Sequence, residues 1–142
     1  RRVENDLLHK QLLNGDRRAD AVISVGQSTT QSAVRTADRV GASYIVSLTE
    51  SGYSSRMMSR HKPSQPILVL TPNQKTFNKS ILSFGTNPVL IKRFKDFTEV
   101  LKIVRDYCLK NKLAKRGDKV VIASGMPFGK VIETNMVLVE TL

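Results

Sequence analysis

The stretch "YIVSLTESGYSSRMMSRHKPSQPILVL", residues 44–70, decides the fold. It opens on Tyr44, Ile45, Val46, Ser47 and Leu48, a short apolar run that reads as a buried strand. Hydroxyl residues and one glycine (Thr49, Ser51, Gly52, Ser54) then crowd the junction with a segment of helical pattern, residues 53–62. Pro63 and Pro66 close that helix, because proline lacks the N–H and disfavours helix in the residue before it. Ile67, Leu68, Val69 and Leu70 form a second apolar run. A strand, a helix and a second strand in this order predict a pair of parallel strands joined by a helical crossover.

Working outward, the pattern repeats. Toward the start, residues 20–40 read as a helix with small residues (Ala21, Val25, Ser28, Ser32, Ala33, Thr36, Ala37, Val40) at three- and four-residue steps, ended by Gly41. Small side chains let a helix approach its neighbour closely. Before it, Leu7, Leu8 and Leu12 predict a further helix over 3–13, stopped by Asn14-Gly15. Toward the end, a helix over 73–82 leads to a short strand over 88–91. Phe97, Val100, Leu101, Val104, Cys108 and Leu113 trace one face of a helix over 96–112. Gly117-Asp118 is a turn, residues 119–123 a fourth strand, and residues 135–139 a fifth. The eleven residues 124–134 carry no helical pattern, and a parallel crossover needs a dozen or more, so the last strand should run antiparallel at an edge. The prediction is a single α/β domain over 1–142: a helical lead-in at 1–41 and a sheet unit at 42–142. It has three layers around a five-stranded, mostly parallel sheet of order 3-2-1-4-5.

Composition narrows the function. The chain has 142 residues, 40% apolar and 25% charged, as in a globular domain able to bury a core. No apolar run approaches the ~18 residues of a membrane span. Residues 1–6 lead into polar sequence with no signal-peptide pattern, and a single cysteine fits a reducing, cytoplasmic setting. The net charge of +11 favours an anionic partner. Yet the bases are scattered, and only 6% of residues are aromatic, without the interleaving of a single-strand-binding surface. Cys108 stands alone on an apolar helix face, which predicts a buried, inert thiol. His9 and His61 sit apart in polar, exposed-looking contexts, and no carboxylate pair or Ser-His-Asp set can be assembled. The residues themselves offer no catalytic group and no metal site; they describe a binding domain.

The predicted strand order says where binding should occur. The chain reverses direction between the first and fourth strands, and ligands of open α/β sheets sit beyond the carboxyl ends flanking such a reversal. The segments leaving those ends are 49–54 and 124–134, which are rich in Gly, Ser and Thr. If Tyr53 opens a helix, the N–H groups of Tyr53, Ser54 and Ser55 face whatever lies beyond the strand, where the helix dipole favours an anion. Gly52 permits close approach, and Thr49, Ser51 and Ser54 add hydroxyls. Glu50 opposes an anion if its carboxylate turns inward. In the second loop, Gly125 and Gly129 flank Pro127, and Lys130 could bring an ammonium over a ligand, with Thr134 at the return. The plain alternatives are a helix cap by Ser51 and a long hairpin connection. Neither loop matches a P-loop or a dinucleotide fingerprint.

The segments "LTESGYSSRMMSRHKPSQPILVLTPNQKT" (48–76) and "GDKVVIASGMPFGKVIETNMVLVETL" (117–142) together resemble the C-terminal domain of the pyruvate kinases. That domain has a strand ending in Thr-x-Ser-Gly, a helix closed by two prolines, and a Gly-Asp-strand-Gly-x-Pro-x-Gly ending. The likeness extends back over the helix of 20–41. It implies a regulatory domain that binds a phosphorylated sugar, such as fructose 1,6-bisphosphate, and contributes to a homo-oligomer. Thr49, Ser51, Gly52 and Ser54 match the phosphate loop, and residues 125–134 match the flap over it. Lys92, Arg93 and Lys95 are candidates for a second phosphate. The resemblance assigns phosphate transfer, with its magnesium and potassium, to a separate barrel domain, so this chain alone should be non-catalytic and hold no cofactor. A stand-alone phosphometabolite-binding protein and a basic nucleic-acid-binding module are the alternatives.

Overall fold

In the computed structural model the described residues are 22–127, 130 and 132–142. The predicted helix over 3–13 lies outside them. Along the chain run α1 (Val25–Val40), β1 (Tyr44–Leu48), α2 (Tyr53–Arg60), β2 (Ile67–Thr71), α3 (Gln74–Ser80), β3 (Thr86–Leu90), α4 (Phe97–Lys110), β4 (Lys119–Ser124) and β5 (Met136–Thr141). The strands form one sheet in the order β3-β2-β1-β4-β5. All neighbours are parallel except β4 and β5, which pair antiparallel with Val121 opposite Val139. The expected α/β topology is the observed one.

The near-continuous apolar runs are explained by what covers them. Side chains alternate across a strand, so one face carries Ile45, Ile67, Val69, Val121 and Ala123, packed with Ala33, Val34 and Ala37 of α1 and Met58 of α2. The other face carries Val46, Leu48, Leu68, Leu70, Val120 and Ile122 against Val100, Val104 and Cys108 of α4. Three layers follow. Pro88, which cannot donate to a ladder, sits in β3 at the sheet edge, where that loss is tolerated. Cys108 is fully buried, and burial pushes its thiol pKa up, in keeping with an inert group.

Element ends depart from expectation for local reasons. The helix predicted over 20–40 begins at Val25, because Ser24 and Gln27 form a capping box: Ser24 Oγ accepts the Gln27 N–H at 3.1 Å and Gln27 Oε1 accepts the Ser24 N–H at 3.3 Å. Its buried stripe is Gly26, Thr30, Ala33, Val34 and Ala37, while Val25, Ser28 and Ser32 are exposed. The predicted face was therefore misread by a part-turn, since small polar residues on both sides satisfy the same spacing. The helix predicted to reach residue 62 stops at Arg60, and Lys62 turns left-handed at φ 44° just before Pro63. Asn73 is the cap of α3, not its first turn, and accepts from the N–H groups of Lys75 and Thr76. The third strand starts two residues before the predicted 88, and the fifth runs to Thr141. The turn before β4 is fastened by Asp118, which accepts from the Lys115 N–H and the Ser43 hydroxyl; these bonds hold its carboxyl below the ordinary 3.8.

Candidate functional site

The carboxyl ends of β1 and β4 are neighbours, Leu48 opposite Ser124, and each strand is followed by one of the two loops singled out above. Between those loops lies a cleft of about 560 Å³, counting its open mouth. Thr49, Ser51, Tyr53, Ser54, Gly125, Lys130 and Thr134 all line it. Gly52 and Ser55 do not. Gly129 lies outside the described residues.

The β1–α2 loop is tied from within. Gly52 occupies the N-cap position in the left-handed conformation, φ 80°, and its N–H is accepted by Thr49 Oγ1 at 2.8 Å. A Cβ there would stand 3.2 Å from Thr76 Cγ2, so glycine is required by both backbone and space. The Tyr53 N–H, expected to face a ligand, is instead accepted by Ser51 Oγ at 3.3 Å. Ser55 turns its hydroxyl back to the Gly52 carbonyl at 2.9 Å, and Ser54 shares a buried 3.0 Å hydroxyl bond with Ser47. The Tyr53 N–H and the Ser54 and Ser55 hydroxyls are thus engaged within the fold. A hydroxyl that accepts one bond keeps its own proton for donation, and Thr49 and Ser51 are in that state.

Glu50 lines the cleft, but not as a bare charge. Its Oε1 stands 2.7 Å from Arg93 Nη1, supplied by the connection after β3, while its carbonyl accepts from the Thr76 hydroxyl at 2.6 Å. Arg93 therefore neutralises the carboxylate, and among the described residues the cleft lining itself contributes one cation, Lys130. Lys92 and Lys95 are exposed and outside the lining.

The second loop is held at its base. Asn135 Oδ1 accepts the Met126 N–H at 2.8 Å, and Asn135 Nδ2 donates to the Met126 carbonyl at 2.9 Å. A Cβ on Gly125 would meet the Ile132 carbonyl oxygen at 2.8 Å, so the glycine lets the returning chain pass. One residue further, Glu133 Oε1 accepts the Gly26 N–H at 2.6 Å and joins the loop to the first turn of α1. A carboxylate is favourable at a helix start.

Sequence reasoning missed the apolar half of the cleft: Leu48, Leu70, Pro72, Phe94 and Ile132. Leu48 ends β1 and Leu70 is next to last in the adjacent β2, so the strand order contained that part of the answer. Phe94 arrives from a distant segment that no local pattern marks, and Ile132 lies in the second loop without having been singled out there. Among the described residues no group of His, Cys, Asp and Glu could hold a metal ion, and no helix is long and apolar enough to cross a membrane.

Comparison with known proteins matches this architecture. The family model described as "Pyruvate kinase, alpha/beta domain" covers residues 27–140. A pyruvate kinase of Lactobacillus delbrueckii subsp. bulgaricus is 31% identical over 119 residues, 84% of this chain and 20% of that protein. One from Clostridium acetobutylicum is 28% identical over 145 residues, 99% of this chain and 29% of the relative. A third, from Dictyostelium discoideum, is 31% identical over 120 residues, 84% of this chain and 24% of its own length. The chain therefore spans less than a third of each of these relatives. With the family model covering the sheet and most of its helices, the chain belongs to the pyruvate kinase alpha/beta domain family.

Proposed function

We propose that this chain is the effector-binding domain of a pyruvate kinase, and that the cleft beyond β1 and β4 receives a phosphorylated metabolite. The observation that carries the reading is convergence: Thr49, Ser51, Thr134 and Lys130 line one cleft where the sheet reverses direction. Hydroxyl donors with a nearby cation suit a phosphoryl oxygen, and charge assistance makes such bonds stronger than neutral ones. The relatives are named pyruvate kinases and are more than three times as long as this chain, which supports a longer parent in which phosphate transfer lies in another domain.

Titration calorimetry tests the reading. Phosphorylated compounds, with sulfate as a bare anion, should bind the parent chain. Ser51→Ala should weaken binding by about 1 kcal/mol, the worth of one hydrogen bond, and Lys130→Ala by about 1.5–3 kcal/mol for a charged partner. If both variants bind like the parent, the loop is only a helix cap.

A further inference from the structure

The sheet has a second end, away from the cleft. A parallel crossover returns the chain to the start of the next strand, so α2 and α3 finish where β2 and β3 begin. The loop between α3 and β3 carries three large apolar side chains in four residues, and all are exposed: Ile81 at 58%, Leu82 at 89% and Phe84 at 62%. Its main chain is tied down. Ser59 Oγ, near the end of α2, donates to the Phe84 carbonyl at 2.7 Å, and Thr86 Oγ1 donates to the Ser80 carbonyl. The Leu82 and Ser83 N–H groups bond back to the Lys79 and Ser80 carbonyls at 3.2 and 3.1 Å. The backbone is thus satisfied while the apolar side chains face water. Single exposed apolar residues are common on any surface, but three grouped in one loop mark a contact site.

The charge around the loop says what covers it. From Ser51 to Lys95 the chain holds eight Lys and Arg and no Asp or Glu. Arg60 ends α2 and Lys62 follows it, close to the Ser59 bond to the loop, while Lys79 lies in the last turn of α3 just before Ile81. All three are exposed, and among the described residues none of them is ion-paired. A second copy of the chain, with the same net charge of +11, would set like charges against each other. A nucleic acid suits the cations but not Ile81 and Leu82. An anionic lipid surface suits both, because its headgroups attract Lys and Arg while the boundary between headgroups and acyl chains takes up apolar side chains.

We propose that the α3–β3 loop docks the domain on an anionic membrane surface. Ile81, Leu82 and Phe84 enter the boundary between headgroups and acyl chains, and Arg60, Lys62 and Lys79 meet the headgroups.

Co-sedimentation of the 142-residue chain with phosphatidylcholine vesicles, with and without about one-quarter phosphatidylserine, tests this. The anionic vesicles should bind the chain, and neutral ones should bind it about tenfold more weakly or less, since each cation near such a surface is worth about fivefold. Lys79→Gln should cost that fivefold. The double variant Leu82→Ser with Phe84→Ser should lose about tenfold or more, the worth of burying two large apolar side chains. Both sites are exposed, so the urea midpoint should hold. The chain has no tryptophan, and Phe84→Trp therefore reports insertion directly: its emission should shift to the blue on anionic vesicles. An unshifted emission, or a double variant that binds vesicles like the parent, overturns the proposal. Retention of duplex DNA without vesicle binding would make this a nucleic-acid surface, and a parent dimer lost in the double variant would make the loop a contact between copies; either result overturns it too. None of these substitutions lies in the cleft lining, so the phosphometabolite reading stands or falls separately.

Discussion

Gly52 and Gly41 have similar backbone angles and different surroundings, which makes them a matched pair. Both are left-handed, at φ 80° and 66°, so an alanine at either costs about 1–2 kcal/mol in backbone strain. At Gly41 a Cβ meets nothing within 4 Å, and that cost should be the whole effect. At Gly52 the added methyl also crowds Thr76 and Arg56 and disturbs the Thr49 bond that shapes the loop. Gly52→Ala should therefore lower stability to urea more than Gly41→Ala and also weaken the proposed phosphate binding, which Gly41→Ala should not affect. Equal losses, with binding untouched in both, would show that the loop tolerates a side chain at its cap.

Two contacts of the β4–β5 loop differ in what they can yield. The atoms facing a Cβ at Gly125 are main-chain carbonyls, Ile132 at 2.8 Å and Glu133 at 3.1 Å, which cannot move without displacing the loop. Gly125→Ala should cost about 1–3 kcal/mol, as overpacking does, and open the base of the cleft. At Gly26 the crowding atoms belong to the exposed Glu133 side chain, with Cγ at 2.5 Å. That chain can swing away at the loss of one hydrogen bond, while alanine recovers about 1 kcal/mol of helix propensity. Gly26→Ala should therefore change the urea midpoint little. A Gly26→Ala loss as large as that of Gly125→Ala would mean that the Glu133 link to α1 is rigid. The buried stripe of α1 makes a related point. A sequence of small residues on two faces does not say which one packs, and the sheet chose Gly26, Thr30, Ala33 and Ala37.

At the scale of the whole molecule, nothing among the described residues supplies a metal-holding cluster, and the sequence offers no acid/base pair. The chain by itself should form no pyruvate from phosphoenolpyruvate and ADP in a coupled assay, with or without added magnesium. Metal-dependent turnover by a clean preparation would overturn its assignment as a binding domain. Alternating apolar strands and patterned helices were enough to establish the layers, because strands buried on both faces must be apolar throughout and connections in one sheet are right-handed.

The sequence by itself determined the element types, the strand order, the antiparallel final strand and the two loops at the reversal. Each of these follows from local periodicity, turn residues and loop length. Tertiary structure decided what fills the cleft and what each donor does. Glu50 finds Arg93 across 43 residues, Glu133 finds Gly26 across 107, and Phe94 and Ile132 reach the cleft from separate loops. Such pairings depend on distances set by the packed sheet, and no spacing along the chain encodes them. The same holds for the Tyr53 N–H. Pattern alone marked it as open to a ligand, but the loop's own closure gave it to Ser51.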